Sequence, residues 1–451
     1  MVFDPATMLL FVRFLFAFTI GSHILLVSTS IALAFLISVA DFLSIRGHDP
    51  TYEALARRLT KVLVISFGVG TASGIVMAVE LVGLFPSFMT LVASTGAMVL
   101  FYAEISAFFL EVLALVLYVY YWNAFKGRYT HWMVSLLVIA GTLASAVFIT
   151  MVNAWMNTPA GFDATTFINS GFKTISGVQP YADFLTASGP NQIFHVLATT
   201  LLAGSMVLGS YFAYWFIRSR DPGEKATCGR ALKILGAIAI ITVILSGISG
   251  SEQMGNLLVN QPLKYAAIDA NLVSGPNLPD RFFGIIVNGS YVGGITVLGM
   301  QALLARFETG VTSLPGLNQF PPSQWPPLLV SLTFNVMTVG GLVVGLFLLV
   351  YFFAFVTKRR PYESKRLLYL WIPAAVLAMV VYQFGWATDE IGRQPWIVYN
   401  VMTVAQAANT SNALLVPGIL IVLFYLLVIP VTFYLYARVF QGSKPKEGVA
   451  P

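Results

Sequence analysis

The chain has 451 residues, of which 57% are hydrophobic and only 10% charged, with a formal net charge of +6 and a mean hydropathy of +0.81. This composition excludes a soluble globule and indicates a polytopic membrane protein, with nothing that points to nucleic acid as a partner. The single cysteine, Cys228, excludes an internal disulfide, a cysteine-built zinc site and an iron–sulfur cluster.

The first apolar run lacks a basic leading segment and is too long for a cleavable signal peptide. Runs of about 20 residues, long enough to span, occur at roughly 8–40, 62–83, 91–122, 132–153, 191–218, 234–251, 328–357, 367–386 and 413–437. A tenth candidate, 282–304, is apolar but interrupted by glycines and by Asn288. Charge arbitrates. With nine spans, most Lys and Arg fall in the loops of one side, among them Arg57, Arg58, Arg230, Lys233, Arg359, Arg360 and Arg366. A tenth span would put the last basic loops on the wrong side. The expectation is therefore an all-α membrane protein of nine transmembrane helices forming a bundle, N-terminus outside and C-terminus inside. Residues 282–304 are then a peripheral or re-entrant piece. Residues 1–250 hold six helices, 251–327 a long irregular outside loop rich in Gly, Pro and Asn, 328–440 three more helices, and 441–451 a disordered tail.

Ionisable groups inside a membrane are costly, so each is a functional candidate. The spans contain Arg13 and His23, Glu80, Glu104 and Glu111, and His195, with Met337 as a further soft donor. A lone His or Met in a bundle otherwise serves hydrogen bonding or packing. Glu104 and Glu111 lie two turns apart on one face of the third span, which suits a proton relay. His48 and His131 fall at the inner surface and read as structural or solvated.

The densest polar stretch is Gly385-Trp386-Ala387-Thr388-Asp389-Glu390-Ile391-Gly392-Arg393-Gln394-Pro395-Trp396. Arg393 is a ready partner for Glu390, and Pro395 stops the helix carrying them. This GWxxxExGRQPW wording resembles the signature of subunit I of cytochrome bd-type quinol oxidases. The resemblance covers nearly the whole chain. Arg13-x₉-His23, the glycines of Gly70-Thr71-Ala72-Ser73-Gly74, Ala107-Phe108-Phe109-Leu110-Glu111 and Asn153-Ala154-Trp155-Met156-Asn157-Thr158-Pro159 each resemble a family motif. So does Gln261-x-x-Lys264-Tyr265-Ala266-Ala267-Ile268-Asp269 in the loop, which is short as in the short-loop branch.

The resemblance implies the haem-bearing subunit of a terminal oxidase in a prokaryotic plasma (inner) membrane, oxidising quinol and reducing O₂ to water. His195 and Met337 would bind a low-spin haem b, Glu390 with nearby Trp386 a high-spin haem b, and His23 a haem d or a further haem b at the oxygen site. The depths of His195 and Met337 in their helices differ by roughly 8 Å, a difference that a haem standing on edge could span. Lys264 and Asp269 would serve the quinol, and Glu104, Glu111, Arg13 and Arg393 the chemistry and proton uptake from inside. The four histidines are scattered, so no copper site is expected. A second membrane subunit is implied, and a one-helix small subunit is compatible with the resemblance.

Four departures are visible. The family's first third-helix acid falls at Ala103, one residue or about 100° of helix before Glu104. Asn335 stands where an arginine is usual, Asp269 where a glutamate is, and the loop is short. Two other classes remain compatible with the sequence: a quinol-linked haem relay that does not reduce O₂, and a haem-free ion transporter.

Overall fold

The computed structural model describes residues 3–287, 290–297 and 299–440; the predicted tail at 441–451 and Asn288 lie outside the described residues. Fourteen helices follow in chain order: α1 (Pro5–Gly47), α2 (Pro50–Leu84), α3 (Pro86–Ser94), α4 (Ala97–Tyr120), α5 (Arg128–Asn157), α6 (Ala164–Asn169), α7 (Gly189–Arg218), α8 (Pro222–Asn260), α9 (Pro262–Ile268), α10 (Met300–Thr309), α11 (Val330–Val356), α12 (Lys365–Arg393), α13 (Val404–Ala407) and α14 (Leu415–Phe440). Among the described residues, nine are long and apolar enough to cross a membrane: α1, α2, α4, α5, α7, α8, α11, α12 and α14 with the turn before it. This is the helical membrane bundle expected from the hydropathy.

Local chemistry starts several of these helices. α1, α2 and α8 each begin with Asp-Pro, at Asp4, Asp49 and Asp221. In each case the carboxylate accepts from the first free backbone N–H groups, and proline fills a position whose N–H has no helical partner.

α1 forms the axis of the bundle: 67% of its apolar window is buried, against 11% for the last helix, which lies at the periphery. α7 crosses α1 with backbones in contact at Gly204, where a Cβ would fall 2.0 Å from the Ser28 carbonyl oxygen. Small residues permit such approaches where lipid provides no hydrophobic drive between helices. Ion pairs at the basic end join successive hairpins, with Arg58 to Glu224 at 2.9 Å and Arg230 to Asp49 at 2.8 Å. His131 is buried there between Tyr118 O (2.9 Å) and Asp41 Oδ2 (3.4 Å), and His48 ends α1 in a left-handed conformation, φ 50°.

At the opposite end, α8 continues to Asn260, beyond the predicted boundary at 251. Its last turns are polar, so hydropathy does not register them although the helix persists. The segment 282–304 does not span. Strands β1 (Asp280–Phe282) and β4 (Ile295–Val297) pair antiparallel around β2 (Ile285–Val287) and β3 (Ser290–Val292), and α10 follows. The register runs Phe282↔Ile295 and Ile285↔Val292. A further hairpin, β5 (Trp396–Val398) with β6 (Met402–Thr403), turns the chain after α12.

Candidate functional site

α12 ends where Pro395 prevents continuation, and its last turns carry Asp389, Glu390 and Arg393 into a protein interior. Arg393 is 2% exposed and donates through Nη2 to Glu390 Oε2 at 2.5 Å. Three amide side chains surround the pair. Asn153 Nδ2 donates to Glu390 Oε1 at 2.6 Å, while Asn153 Oδ1 accepts from Gln192 (2.5 Å), Asn157 (2.9 Å) and Arg393 (3.4 Å). Asn157 Oδ1 also accepts from Arg393 and from Gln261, at 3.3 and 3.2 Å. These residues come from α5, α7, α12 and the α8–α9 junction, so one network ties four elements together. Such a buried network holds a single arrangement when its members are satisfied.

Lys264 and Asp269 both lie on or just after α9, and both are buried, at 2% and 8% exposure. The Lys264 ammonium donates to the Asp389 carboxylate and, at 3.0 Å, to the Asp389 carbonyl oxygen. Burial pushes the ammonium's pKa down, opposed by the Asp389 charge. Burial likewise pushes the Asp269 carboxyl up to about 8, with the nearby Asp280 charge adding to the effect. Lys264 is thus joined to the Glu390 network, and Asp269 is not.

His23, His195 and Met337 each sit against a glycine of a neighbouring helix. His23 pairs through Nδ1 with Ser73 Oγ at 2.7 Å, and His195 through Nδ1 with Ser249 Oγ at 3.0 Å. Ser249 Oγ also lies 3.3 Å from Ser246 O, so each imidazole has its Nδ1 tied to a serine and its Nε2 left for another partner. A Cβ at Gly74 would lie 3.5 Å from His23 Cε1, one at Gly250 3.4 Å from His195 Cε1, and one at Gly385 3.2 Å from Met337 Sδ. Two imidazoles and a thioether, each faced by glycine, fit the axial-ligand chemistry of haem iron, while the Glu390 carboxylate is an oxygen donor held by Asn153 and Arg393. Trp386 packs with Tyr382 against Ile24 of α1 and Ala203 of α7.

Glu104 and Glu111 both face α5: Ser145 donates to Glu104 at 2.9 Å, and the backbone at Glu111 rests on Gly141, where a Cβ would approach to 2.7 Å. Glu80 is buried on α2, with one oxygen accepting from Thr19 at 3.0 Å and the other without a partner among the described residues. Arg13 makes no hydrogen bond or ion pair among the described residues, and the structure does not bring it to the Glu390 network. Asn335, at the position usual for arginine, reaches the Arg281 carbonyl at 3.4 Å. Sequence reasoning overlooked Asp389, Asn157, Gln192, Ser249 and Ser73 as site residues. Asp389 carried a signal as the second acid of the 385–396 stretch, and Asn157 and Ser73 lay inside the 153–159 and 70–74 motifs, whereas Gln192 and Ser249 carried none.

A family model described as cytochrome bd terminal oxidase subunit I matches residues 11–444. A Bacillus subtilis (strain 168) protein named "Putative cytochrome bd menaquinol oxidase subunit I" is 31% identical over 92% of both chains. The cytochrome bd ubiquinol oxidase subunit 1 of the same organism is 24% identical, over 95% of this chain and 93% of its own. The solved bd oxidase from Geobacillus thermodenitrificans superposes with a TM-score of 0.88 at 28% identity, covering 97% of this chain and 98% of that one. Family membership implies haem cofactors in a multi-pass prokaryotic membrane protein. This chain belongs to the cytochrome bd terminal oxidase subunit I family.

Proposed function

We propose that this subunit oxidises membrane quinol at the α9 end of the bundle and passes the electrons to O₂, which is reduced to water with protons drawn from the opposite, basic side. The observation that carries the reading is the continuous, partly buried network from Lys264 through Asp389 and Asn157 to Asn153, Glu390 and Arg393. It joins the loop expected to meet quinol to a carboxylate suited to bind iron.

His195 and Met337 would hold a low-spin haem b, Glu390 a high-spin haem b, and His23 a haem d or a third haem b. When bound, these groups supply one-electron carriers and the centre at which O₂ reacts. The protein's own contributions are positional and electrostatic. Ser249 fixes the His195 ring, Asn153 and Arg393 orient the Glu390 carboxylate, and Trp386 fills the apolar gap toward α1. Glu104 and Glu111, two turns apart on the face of α4 toward α5, hold protons on the path from the basic side. An open cleft of about 450 Å³, lined by Asn157, Thr158, Asn260 and Tyr399 among others, adjoins the network and would give quinol protons a route to solvent. No copper is included in this reading.

In this assignment the α9 end faces outside, with the N-terminus outside and the C-terminus inside, in the plasma membrane of a prokaryote. Exposed apolar faces such as Ile419, Leu423, Leu426 and Leu427 on α14 meet lipid or a second membrane subunit, with room for a one-helix small subunit. Family membership does not favour a haem-free transporter or a relay that leaves O₂ unreduced.

A dithionite-reduced minus oxidised spectrum of the purified complex, repeated with CO, tests the reading. A CO-sensitive red band is expected for haem d, or a CO-sensitive haem b band for a third haem b. Haem bands that all ignore CO would reject O₂ reduction, and absence of haem from protein made with haem available would reject every ligand assigned.

A further inference from the structure

Asp389 precedes Glu390 in the chain yet serves a different partner. Lys264 reaches across from α9 to both its carboxylate and its carbonyl oxygen. The lysine stem lies flat on α12 at Gly392, where a Cβ would fall 2.9 Å from Lys264 Cε and 3.0 Å from Cγ. The same carboxylate receives longer contacts from Asn157 Nδ2, at 3.4 and 3.5 Å, and from Gln192 Nε2 at 3.5 Å. A buried ammonium is costly unless paired, and a partner removed from such a pair leaves an uncompensated charge. α9 has only seven residues, too few to hold a helix by propensity alone, so its position is set by such tertiary ties. With Lys264, Asp389, Glu390 and Arg393 together, the formal charges at this end of α12 sum to zero.

We propose that Asp389 is a positioning residue for quinol: through Lys264 it latches α9 onto the end of α12 and sets the surface against which the quinol headgroup docks. This rests on the reading of α9 as the quinol face. Lys264 then acts through its tie to Asp389, by holding the surface, rather than by contact with the headgroup. Its ammonium is spent on Asp389, and only 2% of the residue is exposed.

The test combines a labelling readout with kinetics on the purified complex containing the full chain. Amine acylation followed by peptide mass spectrometry reports the reactivity of Lys264, with exposed Lys173 as the internal standard. In the wild type, Lys264 stays unmodified while Lys173 reacts. Asp389→Asn raises modification of Lys264 by about tenfold or more, because the lysine loses its only charged partner within ion-pair distance among the described residues. In the same variant the quinol KM rises about tenfold while kcat changes by less than about twofold, and Asp389→Glu restores both values toward wild type. If Asp389→Asn does not assemble, Gly392→Ala takes its place: it presses on the lysine stem, keeps both charges, and is expected to raise labelling and KM together.

Equal labelling of Lys264 in wild type and variant would overturn the latch. Release of Lys264 with KM unchanged would overturn its role in positioning quinol. Failure of the quinol reading itself is recognised separately, because the wild-type complex would then show no quinol-dependent reduction, and the positioning role falls with it.

Discussion

Asn153 on α5 donates to Glu390 on α12 at 2.6 Å, while its own carbonyl oxygen collects Gln192, Asn157 and Arg393. One neutral side chain thus orients a carboxylate and satisfies three donors. Asn153→Ala removes an acceptor from buried groups and is expected to destabilise the protein by about 1–3 kcal/mol. It also frees Glu390 to rotate, so the haem assigned to that carboxylate is lost in part. Thermal unfolding and haem stoichiometry per chain check the two effects separately; unchanged values of both would mean that the network is not structural.

Met337 Sδ faces Gly385 so closely that a Cβ there would stand 3.2 Å away. Gly385→Val is therefore expected to push the thioether aside and lower the low-spin haem signal, much as Met337→Leu does. The optical spectrum of the reduced complex is the measurement. Retention of the full low-spin signal in Met337→Leu would remove Met337 from the ligand set.

His195→Ala is expected to abolish the same low-spin signal and leave the CO-reactive species. Ser249→Ala keeps the imidazole but frees its orientation, so the low-spin band should shift or broaden rather than vanish. Identical spectra for the wild type and Ser249→Ala would show that the hydrogen bond has no part in holding the ring.

Burial raises Asp269 from 3.8 to about 8 in the folded protein. An acid raised in this way holds its proton longer in the fold than in the unfolded chain. Its contribution to stability is complete below about pH 4 and is lost as the pH rises through 8. The segment around α9 should therefore loosen progressively between about pH 4 and pH 8 and change little above that, and Asp269→Asn should flatten the dependence. Proteolytic cleavage rates, compared between wild type and variant at each pH, check this. Parallel curves would show that Asp269 does not control the segment.

Glu111 is buried against α5, and Glu104 accepts from Ser145 two turns away. If both carry protons from the basic side, Glu111→Gln should lower turnover by about 10²-fold with haem content intact, and Ser145→Ala should have a smaller effect of the same kind. Oxygen consumption at saturating quinol gives the result. Wild-type turnover in Glu111→Gln would take that residue off the proton path.

How much of this was legible beforehand follows from the physics of each feature. Spans were legible because a membrane demands about 20 apolar residues per helix and satisfies backbone hydrogen bonds only within it. The rare intramembrane His and Glu residues stood out for the same reason, since an apolar background makes each polar group conspicuous, whereas Met337, one of 14 methionines, was picked out only by the family resemblance. Glu390 and Arg393 were legible as a pair because three residues of helix bring them together.

Other features depend on how helices are rotated against one another, which no local pattern encodes. Lys264 and Asp389 are 125 residues apart, and their pairing exists only because α9 folds back onto Gly392. Asn153 and Asn157 were visible as part of a motif, but their partners, Gln192 among them, appear only when α5 and α7 turn those faces toward α12. The extension of α8 to Asn260 and the nested hairpins at 280–297 escaped hydropathy because both are set by hydrogen bonding outside the apolar spans. Composition and hydropathy by themselves determined a nine-helix membrane bundle and its few candidate ligands. Tertiary packing alone decided which charges meet, because a buried ion pair is held by the walls around it as much as by the two residues that form it.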